Sequence, residues 1–166
     1  MTAGIGLHIV PFLVGQGLSP EIAVSTVSIR FLSSSIGGFV AGFLIDRYGP
    51  RPTVIGALAI RIISIGLLIF ADTFLEAIFT GALDGFSDGA QSTAVVLLLV
   101  SYFGKSNVGG IYGVTRAFKV AGFSAGPIIA AIWFDLSGSY SAVLWAFFLL
   151  AILSVILISS TRRIKV

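Results

Sequence analysis

Gly42-Phe-Leu-Ile-Asp46-Arg47-Tyr-Gly49-Pro50-Arg51-Pro52 interrupts two long apolar runs. Asp46, Arg47 and Arg51 sit beside Gly49, Pro50 and Pro52, in surroundings almost free of charge. Glycine and proline break helices and form tight turns. A charged hairpin between two membrane-length helices lies at a water interface, and its arginines indicate which one. The rest of the chain can be oriented from it.

Composition sets the class of the flanking runs. Of the 166 residues, 57% are hydrophobic and 10% charged, and the mean hydropathy is +1.08. Soluble domains carry about 25% charged residues. The chain therefore reads as an all-α, polytopic integral membrane protein whose first partner is the lipid bilayer. Its 20 glycines fit membrane helices, where small residues allow close approach. The formal charge of +3 comes with no basic run interleaved with aromatics, so no nucleic-acid partner is expected. One histidine and no cysteine leave neither a catalytic constellation nor a metal site. Gly104-Lys105-Ser106 imitates the end of a phosphate loop, but Leu99 stands where that loop needs glycine. No enzyme activity and no cofactor are expected. The N-terminus lacks the charged region and small-residue cleavage site of a signal peptide.

The apolar runs divide into six helices, over about 1–14, 20–45, 52–70, 75–102, 109–134 and 141–159. They are too long and too evenly apolar for barrel strands, which alternate over about 10 residues. The first is about two turns short of a span of about 20 residues. Ser19-Pro20-Glu21 starts the second, with serine as N-cap, proline at N1 and an acid in the first turn. Cations fix the orientation. Arg47, Arg51, Lys105, Arg162, Arg163 and Lys165 fall on one face, and the opposite loops carry no Lys or Arg. The expectation is a plasma (inner) membrane protein with both termini cytoplasmic.

The spacing Gly42-x-x-x-Asp46-Arg47-x-Gly49-x-Arg51 resembles the hairpin motif of the major facilitator superfamily, Gly-x-x-x-Asp-Arg-x-Gly-Arg followed by Arg or Lys. That motif joins the second and third helices of each six-helix half, the same slot as here. Pro50 and Pro52 depart from the pattern. Tyr102-Phe-Gly-Lys105, Gly110-Ile-Tyr-Gly113, Gly126-Pro127 and Phe134-Asp-Leu-Ser-Gly-Ser-Tyr140 together look like the C-terminal half of the monocarboxylate porter and oxalate/formate antiporter branch. Helix four lacks the Arg found there in many N-terminal halves, which favours a C-terminal half. The resemblance implies one domain over 1–166, built as a 3+3 inverted repeat and forming half of a twelve-helix transporter. It implies secondary transport of a small organic anion, a mono- or dicarboxylate, by alternating access, as antiporter or symporter. A second six-helix half would be the partner. In the family the hairpin is a gating element, so Gly42, Asp46, Arg47, Gly49 and Arg51 would hold one closed state against that half. The alternatives are a homodimer of six-helix halves, and a non-transporting remnant or assembly partner.

Arg30, Arg61, Asp84, Asp88, Arg116 and Lys119 lie well inside helices. Each costs about 2.5–3.5 kcal/mol at a helix centre, so each needs a partner or a wet cavity. Four cations against two carboxylates leave a positive excess, and an anionic substrate is the simplest match. Lys119 falls about 15 Å along its helix and Arg30 about 14 Å along its own, both near mid-membrane. Arg116 shares roughly the Lys119 face. The resembled branch has a Lys six residues after a Gly, as Gly113 and Lys119 are spaced, and an Arg on the helix equivalent to that of Arg30. There the Lys is implicated in binding carboxylate, and if Arg30 acts with it, Arg30 and Lys119 would form a two-point clamp. The competing reading has each simply paired or snorkelling. Asp84 and Asp88 share a face of helix four beside Gly81, Gly85 and Gly89. They would pair with Arg61, Arg116 or Lys119, carry protons, or line a wet cavity. The small residues Ser33, Ser34, Gly37, Gly38, Ala41 and Gly42 permit either close helix contact or a cavity wall. His8 is either a packed polar residue or a proton relay.

Overall fold

The computed structural model describes residues 2–15, 17–71, 73–137 and 141–160. Helices α1 (Thr2–Gly15), α2 (Pro20–Tyr48) and α3 (Pro50–Ile69) come first. A run over Phe74–Ser137 breaks at Gly104 (φ 76°, ψ 167°) into α4 (74–103) and α5 (105–137). Helix α6 is Ser141–Ser160. The protein is all-helical across these residues, with six helices.

Local chemistry sets the helix ends. Ser19 Oγ accepts from the Ile22 N–H at 3.5 Å, with Pro20 in the first turn. Thr73 and Glu76 form a reciprocal cap on α4. The Thr73 N–H donates to Glu76 Oε2 at 3.0 Å, and the Glu76 N–H donates to Thr73 Oγ1 at 3.4 Å. The connection expected between helices ending near 45 and starting near 52 contracts to one residue. Asp46, Arg47 and Tyr48 continue α2, Arg51 and Pro52 already belong to α3, and Gly49 turns the chain alone at φ 87°. Its N–H returns to the Ile45 carbonyl at 2.8 Å. The loop expected around 103–107 likewise reduces to Gly104. In both places glycine reaches a positive φ that other residues rarely adopt, so one residue suffices.

Among the described residues, three helices are long and apolar enough to cross a membrane: α2, α3 and the 143–160 part of α6. The expected six spans are thus met on length and composition by three. Helix α1 has 14 residues, about 21 Å against a hydrocarbon core of about 30 Å. Helices α4 and α5 carry Asp84, Asp88, Arg116 and Lys119, whose accommodation depends on neighbours.

The main apolar core gathers Ile9, Phe12 and Leu13 of α1, Ile65 and Leu68 of α3, Ala130 of α5, and Leu144 and Phe147 of α6. A second cluster joins Val54 and Leu58 of α3 to Ala94 and Leu98 of α4, with Val155 and Ile158 of α6 against it. The closest crossing is between α2 and α4, which run parallel. Gly81, Gly85 and Gly89 meet Thr26, Arg30 and Ser34 in step, at intervals of four residues. A Cβ on Gly81 would lie 2.6 Å from Thr26 Cγ2, and one on Gly85 or Gly89 would strike the carbonyl of Arg30 or Ser34. Gly37 sits equally close to the Phe86 backbone. Of the two uses open to the small residues of α2, Ser34, Gly37 and Gly38 take close contact, whereas Gly42 has nothing within 4 Å of where a Cβ would stand.

Candidate functional site

The close α2–α4 contact brings Arg30 onto Asp84. Arg30 Nε donates to Asp84 Oδ2 at 2.7 Å, and both side chains are buried. Arg61 arrives from α3, fully buried. Its Nη1 lies 3.5 Å from Asp84 Oδ1, an ion-pair contact without hydrogen-bond geometry. Its Nη2 donates to Asp88 Oδ1 at 3.3 Å and its Nε to Ser87 Oγ at 3.3 Å. Ser87 Oγ in turn donates to the Ala57 carbonyl of α3 at 2.7 Å. Two guanidinium groups and two carboxylates therefore balance across three helices. Such a set offsets its desolvation only while complete, since losing one partner of a buried pair costs about 3–5 kcal/mol.

Internal pairing was one of three roles open to Asp84 and Asp88, and Arg61 was one of three partners considered. In the structure Arg61 lies against both carboxylates. The structure adds Arg30, which helix spacing alone had not offered to them.

Beside this set, α4 and α5 border an open cavity of about 400 Å³. Asp88, Gln91, Ser92 and Val95 face it from α4, at the intervals of one helical face. Tyr112, Thr115, Arg116 and Lys119 face it from α5 with the same repeat. Lys119 Nζ donates to Ser92 Oγ at 3.5 Å, and Arg116 Nη1 to the Tyr112 hydroxyl at 3.4 Å. Both cations are exposed. Asp88 belongs to both features, with its side chain 24% exposed on the cavity wall while it holds Arg61.

Arg116 and Lys119 thus come together on one wall. Arg30 is not among the residues lining that cavity; it lies behind α4 with Asp84. Of the two residues expected to form a clamp, Lys119 faces this cavity and Arg30 is paired with Asp84. His8 lies in α1, and its side chain falls outside the described residues. The polar wall residues Gln91, Ser92, Tyr112 and Thr115 were not singled out from sequence. Their signal was available, three and four residues from Asp88 and from Arg116 or Lys119.

At the Gly49 end of the bundle the hairpin residues separate in role. Asp46 and Arg47 are exposed, and the Arg47 guanidinium lies 5.5 Å from the centre of the Tyr48 ring. Arg51 instead reaches α6, donating to the carbonyls of Ser159 at 2.8 Å and Ile158 at 3.4 Å. A cation at a helix C-terminus meets unsatisfied carbonyls and the negative end of the dipole. Gly42 is a half-buried residue within α2.

The family model of the Major Facilitator Superfamily matches residues 2–164. Among curated proteins, the multi-drug resistance efflux pump PmrA of Streptococcus pneumoniae is 30% identical over 155 residues, 92% of this chain and 36% of that protein. The multidrug resistance protein MdtG of Klebsiella pneumoniae is 33% identical over 122 residues, 67% of this chain and 29% of its own. The hexuronate transporter of Bacillus subtilis is 26% identical over 128 residues, 74% and 30% respectively. The matched region is about a third of the length of these relatives.

Proposed function

The chain belongs to the major facilitator superfamily, a family of membrane transporters, and from that premise we propose that it is part of a secondary transporter moving a small organic anion by alternating access. The observation that carries the anion is the charge distribution. Arg30, Arg61, Asp84 and Asp88 balance one another inside the bundle, which leaves Arg116 and Lys119 as the uncompensated cations on the cavity wall. A carboxylate supplies what they lack, with Arg116 offering a planar fork and Lys119 a point charge. The name of the hexuronate transporter, a carrier of a sugar acid, agrees with this class. The mono- and dicarboxylates of the resembled branch fall within it.

In this reading the helices form a 3+3 repeat with both termini cytoplasmic, and the groove between α4 and α5 opens towards a second six-helix half. That half is supplied by a longer chain or by a second copy. Asp46 and Arg47, exposed at the Gly49 end, are the gating residues offered to it, while Arg51 is already engaged with α6. Arg30 joins a substrate clamp only in a state where its bond to Asp84 has opened.

Uptake of labelled lactate, pyruvate, formate or oxalate into proteoliposomes tests the proposal. Lys119→Ala and Arg116→Ala should each lower uptake by about 10-fold or more, in line with the loss of a charge-assisted bond worth about 1.5–3 kcal/mol. Uptake untouched by both substitutions overturns it.

A second reading is efflux of amphipathic compounds. It is favoured by Val95, Val96, Val120 and Phe123 on the same wall, and by the names of the efflux-pump relatives. Export of a cationic dye that depends on Asp88 and not on Lys119 would select it.

A further inference from the structure

The cavity wall is ordered along its length. Helices α4 and α5 run antiparallel from Gly104, and the contact of Lys119 with Ser92 fixes their register. Arg116 and Tyr112 therefore lie on the Gly104 side of Lys119, and Phe123 lies on the far side, level with Asp88. Asp88 precedes Ser92 by four residues, which places it about 6 Å further along the groove than the Lys119 ammonium. One end of the groove is thus cationic, and the other ends in a carboxylate.

That carboxylate has particular chemistry. Arg61 occupies Asp88 Oδ1 from behind, so its charge is already balanced, yet Asp88 remains partly open to the cavity. It is therefore suited to accept a hydrogen bond from a neutral donor. An ammonium group would add a further cation to a wall that already holds two.

Resting on the anion reading above, we infer that Asp88 sets specificity. It selects organic anions that carry a hydroxyl about 6 Å from their carboxylate, the carboxylate lying on Lys119 and Arg116 and the hydroxyl donating to Asp88. Apolar contact with Phe123 and Val120 fills the space between but cannot reject an analogue that lacks the hydroxyl. An unanswered acceptor in a low-dielectric wall can.

The test compares three six-carbon probes against the full chain in lipid nanodiscs by calorimetry: gluconate, hexanoate and 6-aminohexanoate. The expected result is gluconate binding at least 10-fold tighter than hexanoate, with 6-aminohexanoate no better than hexanoate. In Asp88→Ala the ratio of gluconate to hexanoate affinity should fall to about one, and Asp88→Asn, which keeps an acceptor oxygen, should restore most of it. Equal binding of gluconate and hexanoate by the wild-type chain overturns the role of Asp88 while leaving the anion reading intact. A preference for 6-aminohexanoate overturns it in favour of a charge-reading Asp88. An equal loss of all three probes in Asp88→Ala reduces Asp88 to a structural partner of Arg61 and also overturns it. Binding of none of the probes by the wild-type chain removes both this inference and the anion reading. Should Asp88→Ala fail to fold, the wild-type chain's preference for 6-hydroxyhexanoate over hexanoate, which differ by the terminal hydroxyl alone, decides: equal binding of the two overturns the inference.

Discussion

Arg30 and Lys119 look alike in the sequence, each a single cation near the middle of an apolar helix, and the structure treats them in opposite ways. Around Arg30 the helices close. A glycine row brings the α2 backbone against α4, and Asp84 is buried between two arginines. Around Lys119 they stay apart, leaving a groove of about 400 Å³ in which the ammonium meets one serine hydroxyl. The lesson is that a charge within the membrane indicates function only when its own fold leaves it uncompensated. A neutral, buried set ties helices together, whereas an open cation is left facing the groove.

The sharpest way to break this comparison is Asp84→Ala. It leaves the buried Arg30 guanidinium without its carboxylate and removes one of the two carboxylates beside Arg61, and should cost about 3–5 kcal/mol, read as loss of monodisperse protein in detergent or a large drop in thermal midpoint. Adding Arg30→Leu should recover part of that loss, because the remaining Arg61 still has Asp88. No recovery would mean that the two groups are not coupled. Gly85→Val should cost about 3 kcal/mol or more, since the added side chain meets the backbone of α2 rather than a movable side chain. Near-neutral behaviour in the same unfolding measurement would show that the helices are not in close contact.

Smaller effects sharpen the contrast. Arg51→Ala removes the donor from the last carbonyls of α6 and should cost about 0.3–1 kcal/mol, with faster amide exchange confined to the end of α6. Lys119→Ala should change stability by less than about 0.5 kcal/mol, while lowering anion binding as described above. A large loss of stability in Lys119→Ala would place this residue with Arg30 among the structural charges.

Much of the fold was legible because it depends on neighbours in sequence. Ser19-Pro20 marks the start of α2, and Gly49 marks its end, through local backbone chemistry. The clustered charges and glycines near 46–51 and 103–107 suggest loops, yet one glycine turns the chain at each place. The capping pair Thr73 and Glu76 was equally local, three residues apart, and could have been read. The site divides in the same way. Arg116 and Lys119 on one face follow from helical period. The assignment of Asp84 to Arg30 does not, because it joins residues 54 positions apart.

The sequence by itself determined that this is a helical membrane protein, where its local caps and turn glycines stand, and which family its hairpin resembles. Hydropathy, capping and turn chemistry act within a few residues of the chain, so they can be read along it. Only the tertiary structure decided which charges are neutral and which are open. That choice depends on how closely two helices approach. Here the approach is set by three glycines of α4 meeting three backbone positions of α2, a match between distant segments that neither segment encodes alone.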